Sequence, residues 1–226
     1  MKASLKKLIK ILPPPQDPTG LEVDWPRFER ILGFLYPTSF KDLVAVYGAS
    51  IFLDNYSHFY PMCSTIKDVE TFFETALSKF QILVDYDLYN ADFQHIRAKM
   101  YPENGGLFPF MCDYYGYDYF WQMSAADSDK WPIVCLELGV LKRLEHASLA
   151  EIFLANIESM KQDDPGRIQV VRWRPPEDRS SNATSSDQSA RSPDEFDSAI
   201  QNEHKMFLKK ISLVKAKMDQ RGGINF

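Results

Sequence analysis

Between Leu107 and Leu138 the chain reads LFPFMCDYYGYDYFWQMSAADSDKWPIVCLEL, and this stretch constrains the fold more than any other. Leu107–Cys112 is a predicted strand. Gly116 marks a turn after Asp113, Tyr114 and Tyr115, and Tyr117–Met123 is the second strand. Ile133–Leu138, entered through Trp131 and Pro132, is the third, with the polar segment Ser124–Lys130 as an exposed connection. Connections this short fit an antiparallel meander.

The rest of the chain is mostly helical in pattern. A short basic helix is expected over Ala3–Ile11, stopped by Pro13, Pro14 and Pro15. Its Lys6, Lys7 and Lys10 suit either contact with an anionic surface or a solvated terminus. Asp24 is placed as an N-cap with Pro26 in the first turn, and Phe28, Ile31 and Leu32 share one face. Gly33 ends that helix, Pro37 and Thr38 start another through Phe40, Leu43, Val44 and Tyr47, and Gly48 stops it. Two short helices thus meet at a corner. Ile51–Leu53 and Phe59–Met62 read as short strands around the turn-prone Asp54 and Asn55. A helix from about Thr65 to Phe80 buries Val69, Phe72, Phe73 and Ala76; from Ile82 onwards the pattern suggests strand or loop, then a helix near Asp92–Met100. Ser148 and Glu151 form a capping box for a helix through Ile157, and Ile168–Trp173 is one more strand.

Pro175–Ala190 is rich in Pro, Ser, Asn and Asp and reads as a linker. Ser192, Pro193 and Glu195 then open a last helix in which Ile200, His204, Phe207, Ile211, Val214 and Met218 form a seam. That seam docks on the parent domain, pairs with a second copy, or binds another protein; the pattern leaves all three open.

Charge narrows the partner. Residues 13–160 carry 10 Lys and Arg against 21 Asp and Glu, a net of −11, whereas residues 1–12 carry four lysines and no acid. Nucleic acid is not expected as a ligand of so acidic a body, because phosphates require a positive field. A basic protein suits it, since such a field accelerates encounter; the same acidity also serves solubility alone. Cys63, Cys112 and Cys135 form no C-x-x-C pair and sit in apolar surroundings, as core cysteines of a reducing compartment do. No signal-peptide pattern and no run of ~18 apolar residues occurs, so the expectation is a soluble cytoplasmic protein without membrane insertion.

The aromatic cluster Tyr114, Tyr115, Tyr117, Tyr119, Phe120 and Trp121 is the leading candidate site. Strand alternation sends these rings to both faces of a sheet, so either some are interface anchors or both faces are covered. Asp113, Asp118, Asp127 and Asp129 would add an acidic rim. Catalysis is not expected. Cys112 with His95 or His58 and Asp113 makes a conceivable thiol site, but no local signature surrounds it. The four histidines and three cysteines lack zinc spacing, Asp113 and Asp118 lack the ligand density of a calcium loop, and no cofactor motif occurs. Arg167, Arg172, Trp173 and Arg174 are too few for a nucleic-acid surface.

The run FERILGFLYPTSFKDLVAVYG, residues 28–48, resembles the opening signature of the SUKH superfamily. Glu29, Leu32, Gly33, Pro37, Phe40, Lys41, Val44, Tyr47 and Gly48 stand in that pattern's order; Tyr36 departs from it, where Leu is usual. Gly116, Trp121 and Trp131 align with the family's later strand, turn and W-P-V elements, and SLAEIFLANI is similar to its closing helix. The resemblance implies an α+β fold, a mostly antiparallel sheet packed against several helices. It also implies a non-catalytic immunity protein whose partner is a basic toxin domain. A regulatory or scaffolding protein on the same module, or less readily an enzyme, is the alternative. The expected organisation is a basic segment and Pro-rich linker over 1–20, the α+β domain over 21–174, a linker over 175–192 and a helical extension over 193–226.

Overall fold

The computed structural model describes residues 2–16, 18, 21, 23–52, 56–58, 66–85, 89–90, 98–113, 116–124, 126–144, 148–163, 170–172 and 193–221. Among these residues the fold is α+β, with six helices and one eight-stranded sheet. The helices are α1 (Ala3–Ile11), α2 (Trp25–Leu32), α3 (Thr38–Tyr47), α4 (Ile66–Asp85), α5 (Leu149–Asp163) and α6 (Pro193–Arg221). The strands are β1 (Ser50–Phe52), β2 (Tyr56–His58), β3 (Tyr89–Asn90), β4 (Leu107–Asp113), β5 (Asp118–Gln122), β6 (Ile133–Glu137), β7 (Val140–Arg143) and β8 (Val170–Arg172). Their order is β3-β7-β6-β5-β4-β2-β1-β8, antiparallel at every step except β3 beside β7.

The corner between α2 and α3 forms as its residues dictate. Asp24 accepts a hydrogen bond from the Arg27 amide at 3.1 Å, and Gly33 closes α2 at φ +76, a left-handed conformation that a side chain disfavours. Glu29 is buried, and its Oε1 accepts from the Tyr36 amide and from Lys41 Nζ, both at 2.8 Å. Tyr47 donates its hydroxyl to the Leu12 carbonyl at 2.7 Å, which ties α3 to the end of α1. Gly48, also at positive φ, ends α3.

Several predicted boundaries shift. The helix expected to end at Phe80 runs on to Asp85, because Leu83 and Val84 continue its buried face. The helix expected near Asp92–Met100 does not include residues 98–100, since Met100 instead bridges Leu107; residues 91–97 lie outside the described residues. The second short strand is Tyr56–His58, and residues 59–62, where it was expected, also lie outside. The α5 helix extends past Ile157 to Asp163. One strand is absent from the sequence reading: β7, which follows a turn at Leu138 and Gly139 where the third predicted strand was to end.

Strands β4, β5 and β6 are buried at nearly every residue, so both faces of the central sheet are covered. Trp121 packs against Phe110 (4.3 Å, stacked), Phe40 (5.0 Å) and Tyr36 (5.7 Å); Phe108 packs against Phe34, Tyr101, Phe72 and Phe80. Pro109 pairs with Phe120, and the register shifts between Pro109 and Met111, a bulge of the kind with which Pro occurs in strands.

Of the three fates left open for the last helix, docking on the parent domain is the one taken. Ile200, Phe207, Ile211 and Val214 are buried, and Phe207 meets Phe73 at 4.9 Å and Phe80 at 6.0 Å. Asp197 pairs with Arg27 and Arg30 of α2, Phe196 lies under the Arg27 guanidinium, and Lys215 pairs with Glu103. The seam that self-association would need is therefore spent within the chain. The Met218 side chain lies outside the described residues.

Candidate functional site

The aromatic cluster and its four aspartates do not form one contact surface. Antiparallel pairing places the β4–β5 and β6–β7 connections at one end of the sheet and the β5–β6 connection at the other. Asp127 and Asp129 belong to the far end, separated from Asp118 by the length of β5, roughly 17 Å for five residues. They serve the fold there. Asp129 accepts from the Thr38 amide at 2.7 Å, capping α3, and Asp127 accepts from the Asp129 amide and pairs with Lys130 at 3.1 Å. An acidic rim of four is thus corrected: two members cap helical turns elsewhere.

Asp113 and Asp118 are not rim residues either, since both are buried. Asp118 sits 2.7 Å from Lys79 of α4, an ion pair that joins the helix to β5. Burial raises the Asp118 carboxyl above its ordinary value, and the Lys79 ammonium opposes that shift without cancelling it. Asp113 closes the β4–β5 hairpin: its Oδ1 accepts from the Tyr117 amide at 2.9 Å, and its carbonyl accepts from Gly116, which stands at φ +83. Tyr119 and Trp121 are core residues, each less than 5% exposed. Tyr114 and Tyr115 lie outside the described residues, as does the side chain of His58 and all of His95, the partners considered for a Cys112 thiol site.

What the fold does bring together is a polar row across one sheet face at the turn end. Period-two alternation and the register put Asp113, Tyr117, Tyr119, Cys135, Glu137 and Lys142 on that face, with Tyr119 opposite Cys135 and Cys135 opposite Lys142. Lys142 Nζ donates to Glu137 Oε2 at 2.5 Å, and the Tyr117 hydroxyl donates to the same carboxylate. The row therefore joins three consecutive strands, β5, β6 and β7, by side chains as well as by the ladder.

Four titratable groups in the row, Tyr117, Cys135, Glu137 and Lys142, are shifted away from neutrality. The hydrogen bond to Glu137 raises Tyr117, Lys142 lowers Glu137, and Glu137 raises Lys142. Burial pushes the Cys135 thiol up to about 12. A proton-transfer site needs a group poised near the working pH; here the shifts fix a phenol, a carboxylate, an ammonium and a thiol in their ordinary states. That suits hydrogen bonding and charge recognition. No cluster of three or more His, Cys, Asp or Glu side chains able to hold a metal occurs among the described residues.

Beside this row stands Leu138, which the sequence reading assigned to a strand end. It occupies the β6–β7 turn at φ +49, followed by Gly139 at φ +83, and is 81% exposed. Positive φ at both central residues is the type I′ hairpin pattern, where Asn and Gly are the usual occupants and a bulky residue is an outlier. The available signal was Leu138-Gly139 between two short apolar runs, weakened because Lys142 and Arg143 make β7 look polar. Comparison with family models, with curated proteins and with solved structures finds no match to this chain, so the SUKH resemblance stands on its own quoted residues.

Proposed function

We propose that the chain is a non-catalytic protein-binding module that presents the turn end of its sheet to a protein partner. Leu138 carries this reading. A leucine at positive φ costs conformational energy, and at 81% exposed it gains little burial in return. Buried in a partner's apolar socket, it would contribute about 1.5–3 kcal/mol. The Tyr117–Glu137–Lys142 hydrogen bonds brace the hairpin that presents it, which limits the ordering cost of association. The resemblance to SUKH proteins supports the finer statement that the partner is a basic toxin domain and the chain its immunity protein. The net charge of −11 over residues 13–160 supports electrostatic attraction of such a partner.

The test is growth rescue in cells expressing a toxin-like protein encoded beside this chain. The native chain restores growth, and Leu138→Asn, which keeps the turn, does not. Failure of the native chain against every such toxin removes the immunity reading. Full rescue by Leu138→Asn removes the turn end as the contact surface.

A further inference from the structure

The outward side of α6 is unlike any other exposed helix face described. Its inward side is defined by Ile200, Phe207, Ile211 and Val214, all buried against the domain. At about 100° per residue, Met206, Lys209, Lys210, Leu213 and Lys217 fall within an arc of roughly 100° on the opposite side. The three lysines are exposed, and Met206 and Leu213 are 46% and 59% exposed. From Lys205 to Lys217 the helix carries five lysines and no acid, in a chain whose net charge is −5.

Among the described residues, Met206 and Leu213 are the large apolar side chains that a helix leaves exposed, and both fall among these lysines. Met206 and Leu213 lie seven residues apart, about 10.5 Å along the axis and at nearly the same height above it. The helix α1 supplies the comparison. It also exposes lysines, Lys6, Lys7 and Lys10, but its Leu5 and Leu8 are buried and it exposes no large apolar side chain.

We infer that the outward stripe of α6 docks on anionic bilayer surfaces, its lysines meeting headgroups while Met206 and Leu213 enter the headgroup–acyl boundary. Lysine ammonium groups are attracted to an anionic leaflet, and short apolar side chains at one depth add contact that a purely electrostatic patch lacks. A convex stripe of this kind matches a flat, laterally mobile surface. Nucleic acid fits it less well, because the stripe carries no arginine to bond base edges and no aromatic ring to stack on them. An acidic protein would have to supply a groove with apolar floor and acidic rims, and is an outcome of the test.

The experiment is flotation of the full chain with phosphatidylcholine vesicles, with and without phosphatidylserine, at about 0.1 M salt. The chain floats with the phosphatidylserine vesicles and not with phosphatidylcholine alone. Two exposed-residue variants, Lys209→Glu with Lys217→Glu and Met206→Gln with Leu213→Gln, each weaken vesicle association by about tenfold or more. Lys6→Glu with Lys10→Glu makes the same change in net charge on α1 and weakens it less than about twofold. No flotation with phosphatidylserine overturns the inference, and so does an equal loss from the α1 variant, which would reduce the effect to net charge. Association with soluble polyglutamate but not with vesicles overturns it in favour of an acidic protein.

Discussion

Glu29 and Lys41 meet across the α2–α3 corner, Oε1 to Nζ at 2.8 Å, and the same oxygen also accepts from the Tyr36 amide. One buried carboxylate therefore holds both the approach to the second helix and a side chain on it. The corner is built by an acid on α2, a glycine that ends it, a proline before α3 and a lysine one turn into it.

Removing that carboxylate leaves the Tyr36 amide without an acceptor in a buried setting. Glu29→Ala is expected to cost about 2–3 kcal/mol, and Glu29→Gln about half as much, since an amide oxygen still accepts one bond. Lys41 retains access to water, so Lys41→Met costs less, about 1 kcal/mol or below. Urea unfolding of the three variants checks the order; equal costs for Glu29→Ala and Lys41→Met would show that the ion pair and not the amide bond dominates.

Leu138 makes the opposite kind of prediction. Replacing it with Asn suits the left-handed conformation better and removes an exposed apolar side chain, so stability rises by about 0.5–1 kcal/mol. A site kept for function against stability has this signature: the unfolding midpoint goes up while partner neutralisation goes down. An unfolding midpoint that falls for Leu138→Asn would mean the leucine contributes to the fold.

The packing of α6 on the domain responds to pH in two opposed ways. His204 stacks beside Phe73, and its Nε2 lies 3.2 Å from the Tyr101 hydroxyl, which itself donates to the Leu32 carbonyl at 2.5 Å. The phenol's one proton is thus committed, so His204 donates from Nε2 as a neutral ring. Burial lowers its pKa below the ordinary 6.5. The unfolded chain then binds the proton more readily, so the stability His204 permits is complete above about pH 6.5 and declines as pH falls through that value. Glu203 is raised above its ordinary value by burial and by Glu70 and Glu74, with Lys210 opposing; its contribution is present at acid pH and lost as pH rises through the raised value. His204→Leu is expected to flatten the fall in urea midpoint between about pH 7 and about pH 5.5, and Glu203→Gln to raise the midpoint at neutral pH. An unchanged slope in His204→Leu would place the acid sensitivity elsewhere.

Cys135 should be silent in the native state. Its thiol is buried and raised to about 12, and only a thiolate attacks a thiol reagent. At about pH 8 a maleimide labels Cys135 only at the rate of unfolding, as peptide mass spectrometry can follow. Labelling at the rate of a free cysteine would contradict the packing of β6 against Tyr119.

Much of the fold was legible because its signals are local. Asp24, Gly33, Pro37 and Gly48 each act within one turn of their own position, through a cap bond or a φ preference, and the two helices begin and end where those residues say. The same holds for β4, β5 and β6, strand patterns joined in sequence by connections of four and ten residues. Leu83 and Val84 were harder, since their helical face is identified only by what it packs on.

The sequence by itself determined most of the elements, the antiparallel meander and the alternation that put Tyr117, Tyr119 and Trp121 on one side of a strand. Only the tertiary structure decided which sides met water. It turned Asp118 towards Lys79, carried Asp127 and Asp129 to the far end of the sheet, laid the α6 seam on α4, and left Leu138 exposed beside Glu137 and Lys142. Burial is a relation between elements far apart in the chain, and no local pattern records which surface another element will cover.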